Sequence, residues 1–312
     1  MPFTRILFEN GIEIGRARNS IKLVTANAVF ADVCASISEE YKVRPVLLTE
    51  NVPVIGDSKC LRESHLVLNV NWQKDPLGII VSSLQFPQGL PEDVYVSLLR
   101  PRMNVQYVLG ALVYHCQELA LQYSSICDAA VGFSQIFSMK DKTMTCQGQS
   151  EAYYEFDALI TAARRTYDAL RYIIWPVFGT GGSMPRNFPK TLELCGNLSE
   201  KLRVRLFNSW ETHGTKLTAY RDCIQHYVPI SFGIETATLN QVNGGTWSLL
   251  LRIPDNPEAK SQRDFQFELG LDALTYGWEL TNELIDISTE VIATIPGNAN
   301  QQYGVDNNIR RA

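Results

Sequence analysis

Residues 151–177 constrain this chain more than any other stretch. Phe156, Leu159, Ile160, Ala163, Tyr167, Leu170 and Ile174 recur at steps of one, three and four, which lays apolar side chains along one face of an α-helix. A helix this long with an unbroken apolar face must bury that face against other elements. Pro176 and the loop Gly179-Thr180-Gly181-Gly182-Ser183 mark its end. The neighbouring stretches carry the same period. Met103–Phe137 reads as one long helical run, with Gly110 and Gly132 as points of bending. A third helix is expected from about Lys190 to Trp210, with Leu194, Leu198, Leu202 and Leu206 at four-residue steps. Gly214 is expected to break it, and a fourth helix to cover roughly Lys216–Tyr227 before Pro229. Four consecutive helices with short links predict a bundle.

The flanks are strand-like. Ile6–Ile14 sets two alternating runs around Asn10-Gly11, a hairpin signal. Asn19-Ser20 reads as the N-cap of a helix to about Tyr41. The runs Val43–Leu48, His65–Trp72, Gly78–Leu84 and Val94–Leu99 follow as short strands between turns. Beyond the bundle, Trp247–Ile253 and Phe265–Glu268 flank the polar turn 255–260 and predict a hairpin, with a last helix over Leu269–Ile295. The Asn/Gln-rich residues after Pro296 predict a disordered tail. The expected fold class is therefore α+β. A small α/β module (1–100) precedes a helical bundle with a C-terminal β-hairpin and helix (101–296), and the tail covers 297–312.

Composition excludes several function classes. With 45% hydrophobic residues among 312 and a mean hydropathy of −0.09, the bulk is ordinary globular protein. The charge balance, 28 basic against 33 acidic residues, gives −5; any nucleic-acid contact must then come from a local patch rather than a general polyanion affinity. No apolar run approaches a membrane span, and the N-terminal residues lack the apolar core of a secretory signal. Seven scattered cysteines without a CxxC pair suit a reducing compartment. The expected location is cytoplasmic, without membrane contact.

One motif carries chemistry. Tyr220-Arg221-Asp222-Cys223-Ile224-Gln225-His226-Tyr227 places a guanidinium five residues before an imidazole on the last helix of the bundle. Arg offers planar donors to phosphate oxygens, and His moves protons near neutral pH. The segment resembles the R-x4-6-H motif of the HEPN superfamily, helical-bundle proteins many of which are endoribonucleases, over about residues 103–228. The polar residue the family prefers after the Arg is Asp222 here. The resemblance implies an HEPN-like bundle acting as a metal-independent endoribonuclease or RNA-directed effector. In it His226 moves the proton, Arg221 meets phosphate charge and Asp222 orients the pair. It further implies a homodimer that brings two copies of the motif to one cleft, an RNA substrate and an antitoxin-type protein partner, in a toxin–antitoxin or defence setting. Positions five apart lie about 140° apart on a helix, so one chain does not align Arg221 with His226 by itself. The alternative is a non-catalytic dimeric HEPN-like binding or scaffold protein.

Other candidates are weaker. Glu155 and Asp157 suit the N-terminal end of a helix dipole; in HEPN-like bundles an acid on this helix orients the motif, and these two face different ways, so at most one does so. Arg164-Arg165-Arg171 and Lys201-Arg203-Arg205 offer an RNA-facing surface, although Arg164 and Asp168 are spaced to pair on a helix face. The glycine loop 179–183 lacks a phosphate cradle's Lys and follows a helix. His115-Cys116 and Cys223/His226 lack a second pair at metal-ligand spacing, so neither metal nor cofactor is expected. Cys223 reads as a buried spectator, and Trp72, Trp175, Trp210, Trp247 and Trp278 as core or interface anchors.

Overall fold

The computed structural model describes residues 3–9, 12–15, 44–53, 60–66, 68, 84–137, 143–145, 150–230, 237–243 and 246–296. Seven strands, β1 (Phe3–Phe8), β2 (Ile12–Gly15), β3 (Pro45–Pro53), β4 (Cys60–Leu66), β5 (Thr143–Thr145), β6 (Ala237–Asn243) and β7 (Thr246–Leu251), form one sheet. Its order is β4-β3-β1-β2-β7-β6-β5, antiparallel throughout. β2 meets β7 through Ile12 opposite Ser248 and Glu13 opposite Trp247, so the sheet joins residues 3–66 to residues 143–145 and 237–251. Alternation sets its buried face: Leu249, Leu251 and Ile253 are buried, while Leu250 and Arg252 are half-buried.

Six α-helices supply most of the described residues: α1 (Glu92–Phe137), α2 (Ser150–Phe178), α3 (Phe188–Leu194), α4 (Glu200–Ser209), α5 (Thr215–His226) and α6 (Ala273–Ala293). This helical majority fits a bundle. α2 is the helix its apolar period predicts, with Phe156, Leu159, Ile160, Ala163, Tyr167, Leu170 and Ile174 all buried. Contacts fix the directions. His115 meets Glu155 and Arg165 lies over Tyr107, so α1 and α2 run antiparallel. Phe156 meets Tyr276, and a Cβ on Gly277 would stand 3.0 Å from Leu159. α6 therefore runs beside α2 at close approach, in the same direction.

Asp272 ties helix, helix and sheet together. Its Oδ2 accepts from Thr275 N–H at 3.0 Å and caps α6. Its Oδ1 accepts from Tyr123 of α1 at 2.6 Å and from Leu251 N–H of β7 at 3.1 Å. Arg44 makes a second tie, donating to buried Glu9 and, at 2.7 Å, to Glu279 of α6, with its guanidinium 4.5 Å from the Trp278 ring.

The structure corrects four boundaries. Val94–Leu99 is not a strand but the start of α1, which begins at Glu92 with acidic residues in its first turn and carries Pro101 inside. The helix expected over 190–210 is two. Asn187 caps α3 and Ser199 caps α4, and between them Leu198 is buried off-helix while Leu194 is exposed. Gly214 does not break the chain's course. Residues Trp210–Gly214 form a π turn that leads directly into α5, and a Cβ on Gly214 would fall 2.4 Å from the Trp210 ring. Phe265–Glu268 is not a strand; β7 forms its hairpin with β6 instead, and the loop after β7 is tied by Asn256 and Asp255, whose side chains accept from Gln266 and Leu269 N–H. The Asn10-Gly11 turn, the helix expected over 19–41, the strand expected over 78–84 (except Leu84), Trp72 and the tail after 296 lie outside the described residues.

Candidate functional site on α5

Three buried side chains, Leu217, Tyr220 and Cys223, seat α5 on the bundle. Tyr220 is the anchor. Its ring lies 6.1 Å from Phe156 and 5.5 Å from Tyr276, and its hydroxyl donates to the Pro254 carbonyl at 2.6 Å. With Tyr220 and Cys223 turned inward, the helical period turns Arg221, Asp222, Gln225 and His226 toward solvent. Arg221 and Asp222 are adjacent and paired, Nη1 to Oδ1, at 3.2 Å, with side chains 37% and 45% exposed. His226 is the last residue of α5 and is exposed. Among the described residues no hydrogen bond or ion pair joins it to Arg221 or Asp222. The structure pairs the first two motif residues and leaves His226 one turn past Asp222, bonded to neither among the described residues.

Two residues missed in the sequence join this end of α5, Tyr227 beside His226 and Lys260 beside Tyr227. Tyr227 is exposed, its ring 6.4 Å from the imidazole, and Lys260 reaches across from the loop after β7 to place its ammonium 5.5 Å from that ring. An exposed aromatic face with a cation beside it suits a stacked base and its phosphate. Tyr227 was visible as the residue after the motif His. Lys260 was not, because only the fold brings residue 260 to residue 227.

The two acids on α2 separate. Glu155 turns to α1, where Oε2 meets His115 Nδ1 at 2.8 Å. Asp157 turns toward α5, close enough to Cys223 to act on its thiol electrostatically. One Asp157 carboxylate oxygen is sealed from solvent without a hydrogen-bond partner, and burial pushes the group up to about 7. Of the pair, Asp157 is thus the acid coupled electrostatically to the motif helix. The Cys223 thiol, buried as the sequence suggested, is pushed up by burial. Burial also pushes Lys216 down, against Asp255 and Glu258.

The basic clusters are largely consumed inside the fold. Arg164 pairs with Asp168 at 2.9 Å, as its spacing implied. Arg171 holds Asp168 and the Pro185 carbonyl, and Arg203 holds the Cys195 and Leu198 carbonyls. Arg205 grips Glu283 of α6 with two nitrogens. For Glu283, burial pushes upward, but Arg205 and Ser209 outweigh it and hold the carboxyl below its ordinary range. Among the described residues no helix is long and apolar enough to cross a membrane. Comparison with known proteins found no matching family model, no similar curated protein and no similar solved structure.

Proposed function

We propose that this chain is an HEPN-like, metal-independent endoribonuclease or RNA-directed effector whose site is built on α5. The observation that carries the reading is the exposed end of that helix: the His226 imidazole beside Tyr227, whose ring Lys260 meets, one turn beyond the paired Arg221 and Asp222. Tyr227 stacks a base, and His226 takes the proton from the ribose 2′-hydroxyl. That oxygen then attacks the adjacent phosphorus, the bond to the 5′ oxygen breaks, and the His226 imidazolium gives its proton to the leaving oxygen. Arg221 meets the charge gathering on the phosphate oxygens, and Asp222 holds its guanidinium in place. Positioned acid–base groups supply about 10²–10⁴-fold of such a rate, and donors aimed at the developing charge add their own contribution.

The test is cleavage of labelled single-stranded RNA in EDTA. Cutting should persist, leaving 2′,3′-cyclic phosphate ends. Arg221→Lys should lose it, because a point ammonium does not reproduce the planar fork. Activity abolished by EDTA and restored by a divalent ion would refute the chemistry. The second reading, a non-catalytic dimeric binding or scaffold protein, is favoured by one observation: Arg221 is engaged by Asp222 rather than by His226. It predicts RNA bound and recovered intact.

A further inference from the structure

Six of the eleven large apolar side chains exposed among the described residues lie on the outer face shared by α1 and α2. Val96, Met103, Tyr107 and Tyr114 are 59%, 62%, 67% and 56% exposed on α1, and Tyr154 and Tyr172 are 65% and 49% exposed on α2. Steps of seven and eleven residues keep each set within about 20° of one line along its helix. The two lines are neighbours, because Arg165, on the same line as Tyr154 and Tyr172, places its guanidinium 6.0 Å from the Tyr107 ring. Aromatic side chains carry about 150–250 Å² each, so at these exposures the four tyrosines alone offer roughly 500 Å². That approaches the largest apolar patch usual on a monomer, and the ~800 Å² that each partner gives to a standard interface.

Charge selects the occupant. Because the helices are antiparallel, Arg100 and Arg165 lie toward one end of the face, and Glu118 and Glu151 toward the other. None of the four has an ion-pair partner among the described residues. Glu92 and Asp93 lie beyond the positive end, in the first turn of α1, where the helix dipole accounts for them. A face with a positive end and a negative end is complementary to itself turned around. We infer that the α1/α2 face is a two-fold interface with a second copy of this chain, its axis crossing both helices near Ala111 and Ala158. Each copy's arginine end then lies over the other's glutamate end, and the tyrosines interlock across the half-buried Ala111 and Ala158 between them. The face lies on the side of α2 away from α5, since Phe156, which meets Tyr220, is about 200° around the helix from Tyr154. The inference therefore goes beyond the reading of the motif, and its test reads association rather than cleavage.

Sedimentation equilibrium on the full chain at micromolar concentration should give a dimer, and Tyr107→Glu a monomer with an unchanged melting temperature. Arg165→Glu and Glu151→Arg should each raise the Kd about tenfold, since symmetry loses every contact twice. Combined in one chain, the two should restore it. Within one chain these residues lie about 21 Å apart along α2, so rescue reports a contact between copies. A wild type that stays monomeric at tens of micromolar, a Tyr107→Glu protein that associates normally, or a double swap no better than the singles would overturn the inference. A dimer that cuts no RNA would refute the nuclease reading and leave this interface standing; a monomer that cuts RNA would do the reverse.

Discussion

Asp157→Asn isolates the acid that faces the motif helix. The native carboxyl has one sealed, unpartnered oxygen and is pushed from an ordinary 3.8 up to about 7 by burial. Between those values the folded chain holds a proton that the unfolded chain releases. Stability therefore falls as pH rises from about 4 to 7, and is lowest above 7. Three pH units at ~1.4 kcal/mol each set a ceiling of about 4 kcal/mol, and partial solvent access reduces the expected effect to about 1–3 kcal/mol. Asparagine keeps the shape and cannot ionise. Urea unfolding of both proteins at pH 5, 6, 7 and 8 should give a difference curve that favours the variant by about a third of its full size at pH 5 and rises to about 1–3 kcal/mol at pH 8. Taking the difference removes the slopes of Asp286, Asp272 and His213, which titrate in both proteins. A difference curve that is flat, or a variant destabilised at pH 8, would refute this account of Asp157.

Two further substitutions test the frame around the site. Asp272→Ala removes the α6 cap and leaves Tyr123 O–H and Leu251 N–H unpaired in the interior, and should cost about 3–5 kcal/mol by urea unfolding. An effect below 1 kcal/mol would contradict the junction described for it. Gly214→Ala should cost about 1–3 kcal/mol, because the new methyl meets the Trp210 ring and its contacts with Tyr167 and Phe188. A neutral outcome would show that the ring has room to move.

Much of the fold was legible where the physics is local. The apolar period of α2 gave its bounds to within a residue at each end, because a helix buried along one broad face writes its packing into its sequence. Where two local signals compete, the reading failed. Val94-Tyr95-Val96 favours a strand and Pro101 disfavours helix in the residue before it, yet packing of Leu98, Val105 and Leu109 carries α1 through both. Leu194 and Leu198 suggested a continuous helix, but Asn187 and Ser199 cap two separate ones. The signal for β6 was present: Asn243-Gly244-Gly245 lies between strand-forming runs, while the alternation of Phe265-Gln266-Phe267-Glu268 drew attention away. At the site, the motif residues were readable as residue types at a spacing. Which acid acts on them, and that Lys260 joins them, depend on contacts 66 and 33 residues away in sequence, from Cys223 to Asp157 and from Tyr227 to Lys260. No spacing rule reaches that far.

The central claim is that the exposed His226 does chemistry on RNA and holds nothing in the fold. The most direct measurement is therefore His226→Ala, with melting temperature and RNA cleavage read on the same preparation. The imidazole is exposed and among the described residues makes no hydrogen bond, and Ala is the best helix former. Stability should stay within about 0.5 kcal/mol while cleavage by the wild type in EDTA disappears. A variant that cuts as fast as the wild type, or one that loses stability where the wild type never cut, would contradict it.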